Sequence, residues 1–220
     1  REEPALAALV EGPGAARLRP CARPVDAPDV LRHLRGLGYP DPSPFGGREE
    51  GGWVQERPAE PALAVAWRRT GTCPSRAELF VCAAYGPTPE AAVAEARGLL
   101  DRLQAKGYDR LADETATWWR RYWRTACRVS LPERDIELLY YLGMYKLAGL
   151  SMPGTPAATL QGPWVEEHQL PPWAGDYHFN INVQECYWPC YGGNHPEALQ
   201  PLVKLLDSWK PKLREYARCL

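Results

Sequence analysis

The sequence lacks an excess of charge of either sign. Its 220 residues carry 26 Lys and Arg against 27 Asp and Glu, which gives a formal net charge of −1. Because nucleic-acid binding depends largely on neutralising phosphates, this balance gives no electrostatic reason to expect a nucleic-acid partner. No apolar run approaches the roughly 20 residues that cross a bilayer as a helix, so we expect no membrane span.

The cysteines lack the spacing of a disulfide framework. They are odd in number and scattered, so we expect free thiols, which favours a cytoplasmic over an oxidising compartment. The chain begins at Arg1 and shows no signal peptide, so the compartment itself stays open. Two cysteines and His195 have a loosely zinc-like spacing, but a fourth ligand would have to come from elsewhere, and we predict neither a metal nor a cofactor. The seven cysteines are Cys21, Cys73, Cys82, Cys127, Cys186, Cys190 and Cys219.

Tryptophan and tyrosine are abundant, whereas phenylalanine is scarce. The chain has nine Trp and eleven Tyr but three Phe. Trp and Tyr carry a flat apolar face together with a polar group. Such side chains pack in cores and interfaces, and they also stack on the C–H faces of sugar rings. Composition alone leaves both roles open.

The first part of the chain, residues 1–86, is rich in Pro and Gly and predicts short strands. Leu63, Val65 and Trp67 alternate as in a half-buried strand. A short helix is predicted over 27–38. So few strands make an incomplete sheet, which favours the last part of a β-domain. The predicted strands are "LAALVEG" near the start, "GGWVQE" (51–56), "ALAVAWRR" (62–69) and "AELFVCAAYG" (77–86).

The second part of the chain predicts helices. The clearest covers 88–107, with Thr88 as N-cap, Pro89 at its first position and Gly107 as its stop. In the helix over 132–151, an apolar face follows the helical spacing, and a Gly- and Pro-punctuated loop (152–175) comes next. Strands followed by helices indicate an α+β fold or two adjoining domains. Further helices are predicted over 108–126 and 195–220, and the apolar face of 132–151 comprises Ile136, Leu139, Tyr140, Gly143, Leu147 and Leu150.

Polar and apolar residues alternate between Tyr177 and Gln184, "YHFNINVQ". An extended backbone would place the four polar side chains on one face, whereas a helix would bring His178 next to Asn182 and Asn180 next to Gln184. Buried amides are costly unless they are hydrogen-bonded. The row therefore indicates either a wall that binds a ligand with many hydroxyls or a satisfied structural network.

The segments "TLQGPW" (159–164) and "PPWAGDYHFNINVQECYWPCYGGNHPE" (171–197) closely resemble the catalytic-domain signature of glycoside hydrolase family 95. This family comprises inverting α-L-fucosidases and related α-L-galactosidases. Its pattern is Leu-Gln-Gly-x-Trp, a short loop, Pro-Trp-x-x-Asp-Tyr-His-x-Asn-Ile-Asn-x-Gln, and Tyr-Trp-Pro followed by Asn and Glu. The resemblance is strong over 128–209 and weak before residue 77.

The resemblance implies a multidomain architecture of which this chain holds a part, with both of its ends cut. Residues 1–87 would form the C-terminal part of an N-terminal β-sandwich. Residues 88–130 would form a helical linker. Residues 131–220 would form the N-terminal part of an (α/α)6 barrel catalytic domain.

The resemblance also implies an inverting exo-glycosidase with a glycan substrate. The family holds its nucleophilic water with two asparagines, which match Asn180 and Asn182, and an Asp elsewhere polarises this water. His178 matches a histidine that lines the sugar subsite. Trp164 and Trp173 are then expected along the subsite wall, with Asp176 and Gln184 as further substrate-binding positions of the motif.

The departures from the family pattern concern the sugar more than the reaction. The general acid Glu and the polarising Asp are expected beyond Leu220, so we expect the 220-residue segment alone to be inactive. Glu185 and Cys186 stand where typical fucosidases have Met and Asn, and "GMYK" (143–146) replaces Gly-Arg-Tyr-Leu. Among the local carboxylates, we expect Glu166 and Glu167 to be solvated loop charges and Glu197 to lie in the first turn of a helix.

Three other hypotheses remain open at this point. The rival among enzymes is a different glycosidase or a phosphorylase on the same barrel. A non-catalytic carbohydrate-binding or degenerate glycosidase-like protein would keep the aromatic wall but lack the general acid. A structural remnant would have neither activity nor sugar binding, and its uncovered apolar helix faces would favour aggregation.

Overall fold

The computed structural model describes residues 5–17, 20, 24, 26–58, 60–162 and 171–219. The chain forms two compact units, one ending at Trp119 and the other beginning at Arg120. It combines a five-stranded antiparallel sheet with helices, so the predicted α+β class is confirmed. The predicted sandwich, linker and barrel, with boundaries after residues 87 and 130, stay predictions.

The first unit is built on one sheet with the strand order β1-β5-β4-β3-β2. Each of the four predicted strands is present, and the short β2 adds an edge strand that the sequence pattern did not indicate. The predicted helix over 27–38 is α1, Pro28–Gly36. The strands are β1 (Ala5–Glu11), β2 (Ser43–Gly46), β3 (Glu50–Arg57), β4 (Glu60–Cys73) and β5 (Arg76–Gly86).

One helix, α2 (Pro89–Lys106), covers a face of this sheet. It begins as predicted, because the Thr88 hydroxyl accepts a hydrogen bond from the Ala91 N–H at 3.2 Å. The face of β4 that packs in this core carries alanines, whereas the alternating Leu63 and Val65 are only partly buried. Small side chains on both surfaces allow the helix and the sheet to approach closely. The core residues are Ala62, Ala64, Ala66, Phe80, Cys82 and Ala84 on the sheet and Ala92, Ala96, Leu99, Leu100 and Leu103 on α2.

The next two helices also follow the prediction. They are α3 (Tyr108–Thr125) and α4 (Arg134–Leu150). The predicted apolar face of α4 is mostly not buried, because the buried residues of this helix are Met144, Leu147 and Ala148. Ile136 and Leu139 are 55% and 64% exposed. Leu147 alone belongs to both the predicted apolar face and the buried set.

Short helical segments and one long helix complete the second unit. A 3-10 turn at Pro172–Gly175 precedes α5 (Asn182–Tyr187) and α6 (Pro189–Gly192). A second 3-10 turn, Pro196–Leu199, leads into α7, Gln200–Ala217, which has Pro201 in its first turn and Pro211 in its interior. Within the ranges given above, no helix combines the length and apolar character that a membrane crossing requires.

Candidate active site

A left-handed turn precedes the polar stretch. Trp173, Ala174 and Gly175 have φ values of 51°, 53° and 64°. Left-handed backbone is unfavourable for residues with a Cβ and persists where the surroundings enforce it. Here the Asp176 N–H donates to the Trp173 carbonyl at 3.2 Å, and the Leu160 N–H donates to the Asp176 carbonyl at 3.3 Å. The turn leaves the Trp173 side chain 72% exposed.

Three of the predicted site residues, one in this turn and two just after it, lie together. His178 Nδ1 lies 2.6 Å from Asp176 Oδ1. The indole of Trp173 meets the His178 ring edge to face, with 6.0 Å between the ring centroids. An ionised carboxylate only accepts hydrogen bonds, so Nδ1 donates its proton to Asp176 and Nε2 is the second polar atom of the ring. The arrangement therefore combines one indole face with one imidazole ring whose Nδ1 is held by a carboxylate.

The two asparagines occupy a turn and the start of a helix, so the stretch is neither one extended strand nor one helix. Asn180 lies in the turn 179–181, and Asn182 is the first residue of α5. The Val183 N–H donates to the His178 carbonyl at 3.0 Å, which closes this turn. Both asparagine side chains are exposed, and no described residue makes a hydrogen bond to either amide. Their donors and acceptors are available to water or a ligand.

Gln184 plays a part in the same turn. Its side-chain N–H donates to the Phe179 carbonyl at 2.5 Å. One of its amide hydrogens is therefore committed to the backbone. The bond holds the beginning of α5 against the turn that carries Asn180.

Two of the four residues between the polar ones pack on α7. Tyr177 and Phe179 meet the Trp209 ring at centroid distances of 5.9 Å and 5.4 Å, both edge to face. The Tyr177 hydroxyl donates to the Ala157 carbonyl at 3.0 Å, and burial raises the pKa of this phenol. Val183 is 1% exposed, whereas Ile181 is 48% exposed. Three of the four alternating apolar residues thus anchor the stretch, and the fourth does not.

The remaining predicted positions differ in what can be described. Trp164, Glu166 and Glu167 lie outside the described residues. Glu185 is exposed on α5, and Glu197 lies in the first turn of the segment Pro196–Leu199 as expected. The Cys186, Cys190 and His195 set does not form a metal site, because no three His, Cys, Asp or Glu side chains come together in the part of the chain that the structure describes.

A buried histidine beside the stretch was not assigned a role from the sequence. His195 is 1% exposed, and its Nδ1 lies 2.8 Å from Glu197 Oε1. Its ring stacks on Tyr122 with a centroid distance of 3.8 Å and an interplanar angle of 3°. No described residue bonds to its Nε2. The Tyr122 hydroxyl donates to the Met144 carbonyl at 2.7 Å, so this pair ties α3, α4 and the segment after α6 together.

Comparisons with known proteins agree on one family. The family model for the glycosyl hydrolase family 95 catalytic domain matches residues 85–220. Alpha-L-fucosidase 2 of Arabidopsis thaliana is 48% identical over 73 residues, which are 33% of this chain and 8% of that protein. Probable alpha-fucosidase A of Aspergillus niger is 37% identical over 85 residues, which are 38% of this chain and 11% of that protein. The chain spans about a tenth of the length of these curated relatives.

Proposed function

Because this chain belongs to glycosyl hydrolase family 95, we propose that it supplies part of the catalytic domain of a glycosidase that hydrolyses α-L-fucosides or closely related α-L-glycosides. The names of the two relatives support a fucoside substrate. The observations that carry the proposal are the exposed amides of Asn180 and Asn182 and, in the same short stretch, the His178–Asp176 pair beside Trp173. We further propose that residues 131–220 form the first helices of an (α/α)6 barrel, after the end of a β-sandwich (1–87) and a helical linker (88–130).

Asn180 and Asn182 hold the attacking water in this proposal. An inverting glycosidase needs an acid for the leaving oxygen and a base for water on the opposite face of the sugar, about 6.5–9.5 Å apart. An amide is too weak a base to take the proton of that water. Its carbonyl oxygen and N–H groups can orient the water, while a carboxylate outside this chain takes the proton.

His178, Asp176 and Trp173 bind the sugar in this proposal. The Asp176 carboxylate fixes the proton on His178 Nδ1, so Nε2 accepts a hydrogen bond from a sugar hydroxyl. The exposed indole of Trp173 offers a flat apolar surface to the C–H face of the ring. Gln184 adds its amide carbonyl as a further acceptor, and Trp164 is proposed as a second aromatic residue that binds the sugar.

The test is hydrolysis by the full-length gene product on a panel of α-L-fucosides and α-L-galactosides. We expect the free sugar to appear first with inverted anomeric configuration in proton NMR spectra. Asn182→Ala should lower kcat/KM by roughly a hundredfold or more, because the water loses one of its two orienting amides. Gln200→Ala, which removes an exposed amide at the start of α7, is the matched control and should leave the rate unchanged.

Two outcomes would count against the proposal. Near-normal turnover by the Asn182→Ala variant would remove this residue from the mechanism. Saturable binding of a fucoside without release of free sugar would instead favour a carbohydrate-binding protein.

A further inference from the structure

A buried chain of hydroxyl groups lies behind the candidate site. The Ala158 N–H lies 2.7 Å from the Tyr187 hydroxyl oxygen, which is 3.0 Å from Ser151 Oγ. Ser151 Oγ in turn lies 2.9 Å from the Ala198 carbonyl oxygen. Tyr187 and Ser151 are 2% and 0% exposed, and both backbone partners are buried as well.

The two ends of this chain fix its direction. A backbone N–H can only donate, and a backbone carbonyl can only accept. Tyr187 therefore accepts from Ala158 and donates its own proton to Ser151, which donates to Ala198. Each hydroxyl gives one hydrogen bond and receives one, so no buried polar group of the set is left unsatisfied. Burial raises the pKa of Tyr187, which keeps this phenol protonated and able to donate.

The hydroxyl chain joins four segments of the second unit. Ser151 follows the last residue of α4, and Ala158 belongs to the loop after it. Tyr187 is the last residue of α5, and Ala198 lies in the turn before α7. Asn182 begins α5 five residues earlier, which corresponds to about 7.5 Å along the helix axis. Tyr187 and Asn182 therefore stand at opposite ends of one short helix.

We infer that Tyr187 is a positioning residue for the glycosidase site. It acts by holding α5, and with it Asn182 and the turn that Gln184 secures, in one orientation relative to the loop that carries Ala158. This inference rests on the proposed function for its catalytic consequence. The positioning of α5 itself is independent of that function and can be measured separately.

Tyr122 provides a matched control. It is also a buried tyrosine, 4% exposed, whose hydroxyl donates to one backbone carbonyl, that of Met144, at 2.7 Å. Tyr122→Phe and Tyr187→Phe remove the same atom from a buried site. Tyr187→Phe removes the hydrogen bonds that join α5 to Ser151 and Ala158, whereas the Tyr122 hydroxyl bonds to Met144 of α4. A general loss of stability would affect both variants, whereas a loss of positioning would affect only Tyr187→Phe.

The experiment uses the full-length gene product with each substitution. We expect Tyr187→Phe to lower kcat by roughly tenfold to a hundredfold on the fucoside that the parent protein hydrolyses, with KM changed by less than about twofold. Tyr122→Phe should keep kcat within about twofold at a comparable fall in Tm. In hydrogen–deuterium exchange with peptide mass analysis, Tyr187→Phe should raise the exchange rate of residues 177–187 about tenfold, and Tyr122→Phe should not.

Ser151→Ala gives a second route to the same result if Tyr187→Phe does not fold. It leaves the Tyr187 proton without its acceptor, so faster exchange at 177–187 is again expected. Unchanged exchange and kcat in both variants, or equal effects in the Tyr122 control, would overturn the positioning role. If the parent protein hydrolyses no glycoside, the proposed function fails, and exchange at 177–187 alone decides whether Tyr187 holds α5.

Discussion

At the scale of single residues, exposure separates two kinds of polar side chain in the second unit. Asn180 and Asn182 are exposed, and no described residue bonds to their amides, which costs little because water satisfies them. Ser151 and Tyr187 are buried and fully hydrogen-bonded. Leaving either of these hydroxyls without a partner would cost about 1–3 kcal/mol. The amides are therefore available for chemistry, whereas the hydroxyls are committed to the fold.

The thiols also divide into exposed and buried ones, and their alkylation rates should reveal the difference. A hydrogen bond with Ser75 lowers the pKa of the exposed Cys73, while burial raises the pKa of the Cys190 thiol from 9.0 to about 11. Since the thiolate is the reactive form, iodoacetamide at about pH 8 should modify Cys73 at least roughly tenfold faster than Cys190. Peptide mass mapping over time measures both rates. Equal rates in the folded protein would contradict the burial of Cys190.

The raised pKa of Cys190 also predicts a loss of stability in alkali. The folded pKa lies above the unfolded value, so the unfolded chain releases its proton first. The stabilisation that the buried neutral thiol contributes is fully present below pH 9.0 and is lost as the pH rises towards about 11. The free energy of unfolding, measured by urea titration, should fall over this range, and less steeply in Cys190→Ala. In Cys190→Ala the free energy of unfolding should still fall somewhat with rising pH, because burial raises the pKa of Tyr177 and Tyr187 as well.

At the scale of elements, the close packing of α2 on the sheet depends on glycine and alanine residues. A Cβ added at Gly86 would lie 2.7 Å from the Ala91 carbonyl carbon, whereas a Cβ at Gly71 would have no atom within 4 Å. Gly86→Ala should therefore destabilise the first unit by about 1–3 kcal/mol, since the backbone of α2 must shift. Gly71→Ala is the control on the same sheet and should be neutral or stabilising by up to about 1 kcal/mol. Denaturant unfolding compares the two variants, and equal values would argue against close packing at Gly86.

Element types could be predicted from the sequence because caps and periodicity act locally. Thr88, Pro89 and Gly107 bound α2 through hydrogen bonds and φ preferences that depend on a few neighbours. The buried face of α4 could not be predicted, because exposure depends on which other segments cover it. The turn before α5 was also unpredictable, since the pattern of these eight residues left both an extended strand and a helix open. Alternation singled out the polar row that contains Asn180 and Asn182, but only the family motif gave these two residues a role.

At the scale of the whole molecule, large apolar side chains remain on the surface of α4 and α7. Leu138 is 66% exposed and Tyr216 is 57% exposed. On each helix several of these side chains lie three or four residues apart and therefore on one face. Large exposed apolar patches are uncommon on soluble monomers and mark places where other protein packs. The exposed set on the two helices comprises Ile136, Leu138, Leu139, Leu142, Tyr145, Val203, Leu206, Leu213 and Tyr216.

This surface predicts the behaviour of the 220-residue chain expressed alone. We expect it to bind the dye anilinonaphthalene sulfonate and to self-associate at micromolar concentration. Leu138→Glu should reduce both signals, because a charge interrupts the apolar surface of α4. Leu37→Glu, at a side chain of the first unit that is 59% exposed, is the control and should change neither. A monomer without dye binding in sedimentation and fluorescence measurements would contradict the prediction.

The directed hydroxyl chain also has a consequence for how this sequence can evolve. Ser151 and Tyr187 stand 36 positions apart, yet the Tyr187 proton has the Ser151 oxygen as its acceptor. Once one hydroxyl is lost, the other contributes less to the free energy of unfolding. The double variant Ser151→Ala with Tyr187→Phe should therefore lose less stability than the sum of the losses in the single variants. Natural selection then acts on the two codons as a pair, and descendants should retain both hydroxyls or lose both together.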